Sequence, residues 1–203
     1  MQIELTPKQR KYLSNSVWYH ATTLDNFFSI RDNGVISDIN RDTSENTDFG
    51  YGFYLSDDVS KAERFICRLL EFDVRDGVPV ILEFRFSPLS WFEDDIYNTK
   101  IFDKFDFEFG TFVFENRVNN KSGSTQHGFD SIYGVMSDNL PERLIIEYKL
   151  GMKSRDKTIS DLIKPNSMKQ LCLHNQALCD TLSISRAYRV DDREELSLFE
   201  NHV

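Results

Sequence analysis

Two short segments hold the side chains best suited to chemistry. In Tyr19-His20-Ala21-Thr22-Thr23 an imidazole is followed by a small residue and two hydroxyls. Where such a run ends a strand and opens a helix, backbone groups can approach a ligand closely, and the polar side chains suit a ribose and an amide. The second segment is Gly50-Tyr51-Gly52-Phe53-Tyr54-Leu55-Ser56-Asp57, followed by Ser60-Lys61-Ala62. The glycine pair matches neither the phosphate loop of nucleotide hydrolases nor the dinucleotide fingerprint, and by itself marks only a turn or bulge. An aromatic ring at Tyr54, held where a strand hands over to a helix, could stack on a flat cationic ring. Taken singly, each segment has an ordinary structural reading, His20 as a satisfied core or surface histidine and Gly50-Tyr51-Gly52 as a turn.

Other chemistries find less support. Four histidines and three cysteines show no metal-ligand spacing, and no nucleophile elbow is present. Carboxylate pairs such as Asp57-Asp58 and Asp94-Asp95 fall in polar turns, where capping and solvation account for them. A late run, Lys169-Gln170-Leu171-Cys172-Leu173-His174, reads as a strand with Gln170, Cys172 and His174 on one face. Asp138 follows another strand-like run and either carries an acidic role or caps a turn. Asn116, Arg117 and Asp130 are expected to make substrate or structural contacts, Arg117 with an acidic neighbour.

Taken together, the two segments resemble the His-Tyr-Glu signature of the diphtheria-toxin and poly(ADP-ribose) polymerase branch of the ADP-ribosyltransferases. Tyr19-His20-Ala21-Thr22 is similar to its first motif, and Gly50 to Asp57 with Ser60-Lys61-Ala62 to its second. A closer resemblance is to a bacterial domain family of unknown function in that superfamily, often found as a candidate toxin beside an antitoxin gene. It rests on Asp48-Phe49-Gly50-x-Gly52-Phe53-Tyr54-Leu55, on Asn116-Arg117, on Phe129 to Asp138 and on Gln170 to Asn175.

The resemblance implies an α+β fold with an ADP-ribosyltransferase-type split β-sheet core and flanking helices. It also implies NAD as ADP-ribose donor, no metal, a protein or nucleic-acid acceptor and an antitoxin partner. The setting would be a toxin–antitoxin or phage-defence system. By the same resemblance His20 bonds the adenosine ribose and Tyr54 stacks on the nicotinamide, while Ala21, Thr22, Gly52, Phe53 and Lys61 complete the binding residues. Ala62 stands where the polymerases carry a serine that bonds the carboxamide. Gln170 stands where they carry the glutamate, with Asp138 as the other residue for that role. A neutral amide can accept from a ribose hydroxyl but stabilises positive charge less than a carboxylate does, which favours transfer of one ADP-ribose over chain elongation. A non-catalytic NAD- or partner-binding module and an NAD glycohydrolase are the alternatives.

The elements that must position these residues follow from local pattern. Thr6-Pro7 opens a lead-in helix. Val17 to His20 is a strand with His20 at its end, and Thr23 caps a helix that stops at Asn33-Gly34. Residues 37–50 form a polar loop, and a helix runs from about Asp57 to Leu70. Val78 to Phe86 reads as a central strand neighbouring the first two, and Trp91 to Asn120 as helical. Asp130 to Met136 is a strand, helices lie near 141–150 and 157–163, Asn175 caps a further helix, and Ser183 to Val190 is a last strand.

Residues 1–16 are thus a lead-in, 17–190 one domain and 191–203 an acidic, exposed tail. In 203 residues, 17 Phe and 8 Tyr fall in short runs between polar turns, which suits a β-rich α+β chain. A formal charge of −9 disfavours general nucleic-acid affinity. Three cysteines without a C-x-x-C pair suit a reducing, cytoplasmic setting. Neither a signal peptide nor a membrane span is legible.

Overall fold

The computed structural model describes residues 4–38, 47–72, 77–119, 127–137 and 140–199. Its elements, in chain order, are α1 (Pro7–Leu13), β1 (Trp18–Thr23), α2 (Leu24–Asn33), β2 (Phe53–Leu55), α3 (Val59–Phe72), β3 (Pro79–Phe84), α4 (Leu89–Glu93), β4 (Thr99–Phe102), α5 (Phe107–Asn119), β5 (Ser131–Val135), α6 (Pro141–Lys149), α7 (Arg155–Leu162), β6 (Lys169–Leu173), α8 (Gln176–Cys179) and β7 (Ile184–Arg189). The chain is therefore mixed α+β with two sheets. It divides into two units, one from Met1–Ile36, Tyr54–Asp95 and Gln176–Val203, the other from Ser37–Phe53 and Ile96–Asn175.

The first unit is built on an antiparallel sheet of order β1-β3-β7. Every residue of β3 is buried, as its continuous apolar run requires of a central strand. Ala62 and Ile66 of α3 pack on Ile81 and Tyr188, with Val59, Leu69, Leu70, Tyr19 and Ala21 around them. Those α3 residues recur at helical spacing, so one face of the helix covers the sheet. Strand alternation then turns Trp18, His20 and Thr22 to the opposite face. α1 opens with a capping box between Thr6 and Gln9, and α2 ends at Gly34 with φ +80°. Residues 191–195 after β7 are exposed but tied down. Glu195 bridges Tyr188, and Glu63 of α3 accepts from Tyr188 Oη at 2.6 Å and from Arg193.

In the second unit β4 and β5 run parallel and β5 and β6 antiparallel, in the sheet order β2-β6-β5-β4 that β2 enters at Phe53. Phe49, Phe102, Phe109 and Phe112 interleave their rings beside it. Gly134 of β5 makes this packing possible, since a Cβ there would lie 2.9 Å from the Phe102 carbonyl oxygen and 3.0 Å from the Phe49 ring. α5 packs on α7, and α7 on α6.

Three sequence expectations are corrected. His20 is third of six residues in β1 and does not end it, because the β1–β3 pairing continues to Thr23↔Pro79. β3 neighbours β1 and β7, while β2 belongs to the other sheet. Within the segment expected to be helical, Thr99–Phe102 forms β4 by pairing in parallel with β5, a tertiary contact that overrides the local aromatic pattern. Most of the expected 37–50 loop lies outside the described residues. Among the described residues no helix is long and apolar enough to cross a membrane.

Candidate functional site

β1 and the turn after β2 are joined within the first unit by reciprocal bonds, Tyr19 N to Ser56 O at 2.9 Å and Ser56 N to Tyr19 O at 2.8 Å. This link sets His20 beside Tyr54 although 34 positions separate them. His20 Nδ1 lies 2.8 Å from the Tyr54 carbonyl oxygen. A carbonyl only accepts, so Nδ1 carries the proton and Nε2 the lone pair. Burial lowers the His20 pKa to about 4, the carbonyl bond opposing this only in part. The imidazole is therefore neutral at neutral pH, an acceptor at Nε2.

The neighbouring residues divide by burial. Thr22 is buried on the His20 face, whereas the Ala21 side chain packs into the α3 cluster and leaves a ligand only its backbone. Tyr54 is half-buried. Asp58 caps α3 by accepting from Lys61 N at 3.1 Å, and Lys61 Nζ lies 3.4 Å from the same carboxylate, which holds the lysine at the helix start. Ala62 is buried against Ile81 and Tyr188, so this position serves the core.

In the second unit Gly52 runs hard against the end of β6. A Cβ there would lie 2.4 Å from Cys172 Sγ and 2.9 Å from the Leu173 carbonyl oxygen. Phe53 is 3% exposed and is a core side chain. Two histidines fasten the preceding turn. His174 Nδ1 donates to Tyr51 O at 2.6 Å and His127 Nε2 to Phe49 O at 2.9 Å, their rings edge to face at 4.6 Å. Burial, reinforced by His127, lowers the His174 pKa to about 3, so it too is neutral.

The densest polar cluster of this unit centres on Asp48, 3% exposed. Its Oδ1 accepts from Arg117 Nε at 3.1 Å and Nη2 at 2.8 Å. Oδ2 accepts from Ser137 N at 2.7 Å and from Gln170 Nε2 at 3.2 Å, and Asn116 Nδ2 reaches the Asp48 carbonyl at 3.1 Å. Arg117 thus meets the acidic neighbour expected for it. Gln170, 4% exposed, lies in β6 opposite Gly134 of β5. Asp130 accepts from Asn98 N and Asn175 Nδ2, both at 2.8 Å, and so ties the start of β4 to the turn after β6. Asp138 lies outside the described residues. Among the described residues no group of three or more His, Cys, Asp or Glu could hold a metal ion.

A family model described as protein of unknown function (DUF3990) matches residues 34–184. The chain belongs to that family. No curated protein and no solved structure matches it. The DUF3990 region takes in Asp48, Gly52, Phe53, Tyr54, Lys61, Arg117, Asp138 and Gln170 and leaves out β1 with His20. Asp48 is the residue that sequence reasoning underweighted. It appeared only as the first residue of a glycine-rich stretch, and its partners come from positions 69, 89 and 122 away.

Chemically, the DUF3990 chain offers two kinds of group. The first unit offers a neutral imidazole acceptor beside an aromatic residue at a strand end. The second offers an amide whose nitrogen is committed to a carboxylate. Neither set includes an activated nucleophile. Such groups can accept hydrogen bonds from, and stack on, a polar ligand.

Proposed function

We propose that the chain is an NAD-dependent mono-ADP-ribosyltransferase. The observation that carries this reading is the bond from His20 Nδ1 to the Tyr54 carbonyl, which pairs the two signature residues and fixes the imidazole as an acceptor. Its two small sheets are in keeping with a split-sheet core.

In this reading His20 Nε2 accepts from an adenosine ribose hydroxyl and the Tyr54 ring stacks on the nicotinamide of NAD. By the resemblance, Gln170 of the second unit would be the acceptor for a hydroxyl of the nicotinamide ribose. The bond between ribose C1′ and nicotinamide N1 breaks with its electron pair passing to N1, which turns the pyridinium into neutral nicotinamide. C1′ is left oxocarbenium-like, and a lone pair of the acceptor closes the new bond as the acceptor's proton passes to solvent. Carbonyl dipoles that face the developing charge lower this barrier without giving up a proton. The acidic balance of the chain favours a protein acceptor over a nucleic acid. A cell-damaging toxin held by an antitoxin or used in phage defence is the biological setting that suits the activity.

Purified protein with NAD labelled in the adenylate should label a lysate component and release nicotinamide, and His20→Ala and Tyr54→Ala should each lower both by at least about tenfold, or about 1.4 kcal/mol. Folded wild-type protein that does neither refutes the reading. Free ADP-ribose as sole product would identify a glycohydrolase instead. A second reading, NAD binding without turnover, is favoured by one observation, the engagement of Gln170 with Asp48. Tight NAD binding without nicotinamide release would establish it.

A further inference from the structure

We propose that Asp48 is a positioning residue that sets the orientation of the Gln170 amide, so that the Gln170 carbonyl oxygen is presented as a hydrogen-bond acceptor. This rests on the ADP-ribosyltransferase reading for what the acceptor does. The orientation itself rests on geometry alone.

A glutamine amide has two nearly isosteric ends, one donating and one accepting, and its neighbours decide which way it points. Here the deciding neighbour is a carboxylate. Asp48 accepts at both oxygens, from Arg117 at Oδ1 and from Ser137 N at Oδ2, and an ionised carboxylate has nothing to donate. Gln170 must therefore turn its Nε2 to Asp48 Oδ2, as it does at 3.2 Å, and Oε1 is directed away. Among the described residues the side-chain bond of Gln170 is made through Nε2. The amide thus presents one acceptor oxygen, as a glutamate would, without placing a second carboxylate against Asp48.

The arrangement gives a counter-intuitive expectation for Gln170→Glu, which restores the residue of the polymerase-type enzymes. Its inner oxygen would meet Asp48 Oδ2, with Arg117 the one cation bonded to the cluster among the described residues. Two carboxylates at that separation repel, and one is forced to protonate or move. Asp48→Asn changes the other partner. An asparagine NH2 turned to Gln170 makes the glutamine swing round and present its own NH2 outward. In Asp48→Asn with Gln170→Glu, the asparagine NH2 meets a carboxylate, and both the formal charge beside Arg117 and the outward acceptor return. The Ser137 N–H loses its acceptor equally in the single and double Asp48 variants, so that loss cancels in their comparison.

The experiment is a four-member cycle of wild type, D48N, Q170E and D48N/Q170E, read by urea midpoint and by steady-state nicotinamide release. D48N and Q170E should each lower kcat at least tenfold with KM for NAD changed less than threefold. The double variant should recover at least tenfold in kcat over Q170E and exceed Q170E in urea midpoint. A Q170E variant as active as wild type, or a double variant no more stable than Q170E, overturns the proposal. If D48N fails to fold, Q170E and the double variant still decide it. If wild type releases no nicotinamide the enzymatic reading fails, and the orientation of Gln170 is then judged by the urea midpoints alone.

Discussion

Acidification should weaken the first unit through His20, and the size of the effect follows from its setting. An unfolded chain binds a proton at His20 as pH falls below about 6.5, whereas the buried ring refuses it until about pH 4. Between those values the unfolded state holds more protons than the native state, so stability drops as pH drops, by up to about 1.4 kcal/mol per unit. The whole window costs about 3 kcal/mol, a ceiling because part of the ring stays accessible. That is a large share of the roughly 5–15 kcal/mol that holds a typical domain together. The comparison is wild type against His20→Asn, whose NH2 can still donate to the Tyr54 carbonyl but does not titrate. Urea unfolding of both at pH 7.5, 6.5, 5.5 and 4.5 isolates the term, since the acid sensitivity of His174 is common to the two. The stability difference should be flat above pH 6.5 and shift steadily against wild type below it. An imidazole resonance that titrates near 6.5 in the folded protein, or a difference that stays flat down to pH 4.5, refutes the reasoning.

Two further outcomes concern the second unit. Asp48→Ala strands Arg117, 5% exposed, as a buried guanidinium without its carboxylate and should cost about 3–5 kcal/mol, measured by urea or thermal denaturation. Gly52→Ala would press a methyl group into the Leu173 carbonyl and Cys172 Sγ, and should cost about 1–3 kcal/mol in the same measurement.

Features written in local pattern were legible from the sequence. Thr6-Pro7 and Asn33-Gly34 mark helix ends by cap chemistry, and the apolar runs of β3 and β5 announce buried strands. His20 and Tyr54 were singled out by their motifs, but the bond from the His20 ring to the Tyr54 carbonyl was not legible in the sequence. β4 was hidden, since four residues are too few for alternation to stand out and the strand exists only by leaning on β5. Asp48 was hidden for a similar reason. An aspartate in a polar, glycine-rich stretch looks solvated, and only the folded chain brings Arg117, Ser137 and Gln170 to it. The burial of Phe53 and Ala62 follows from alternation and helical period, which turn both side chains into cores.

The discontinuity of the first unit bears on how it is made. Its central strand β3 is complete on one side once β1 has formed, but the other side waits for β7, which follows the whole of the second unit in the chain. During synthesis Ser37–Phe53 and Ile96–Asn175 can therefore close on themselves while β3 still shows a bare edge, apolar apart from Glu83. Closure of that edge by Ile184–Arg189, and the latch of Arg193 on Glu63, are late events over long chain separations, which folds slowly. The imidazole of His20 sits in the sheet that β7 completes. Nascent chains would thus acquire the second unit before the sheet of the first, so whatever His20 and Tyr54 do is withheld until β7 has been made.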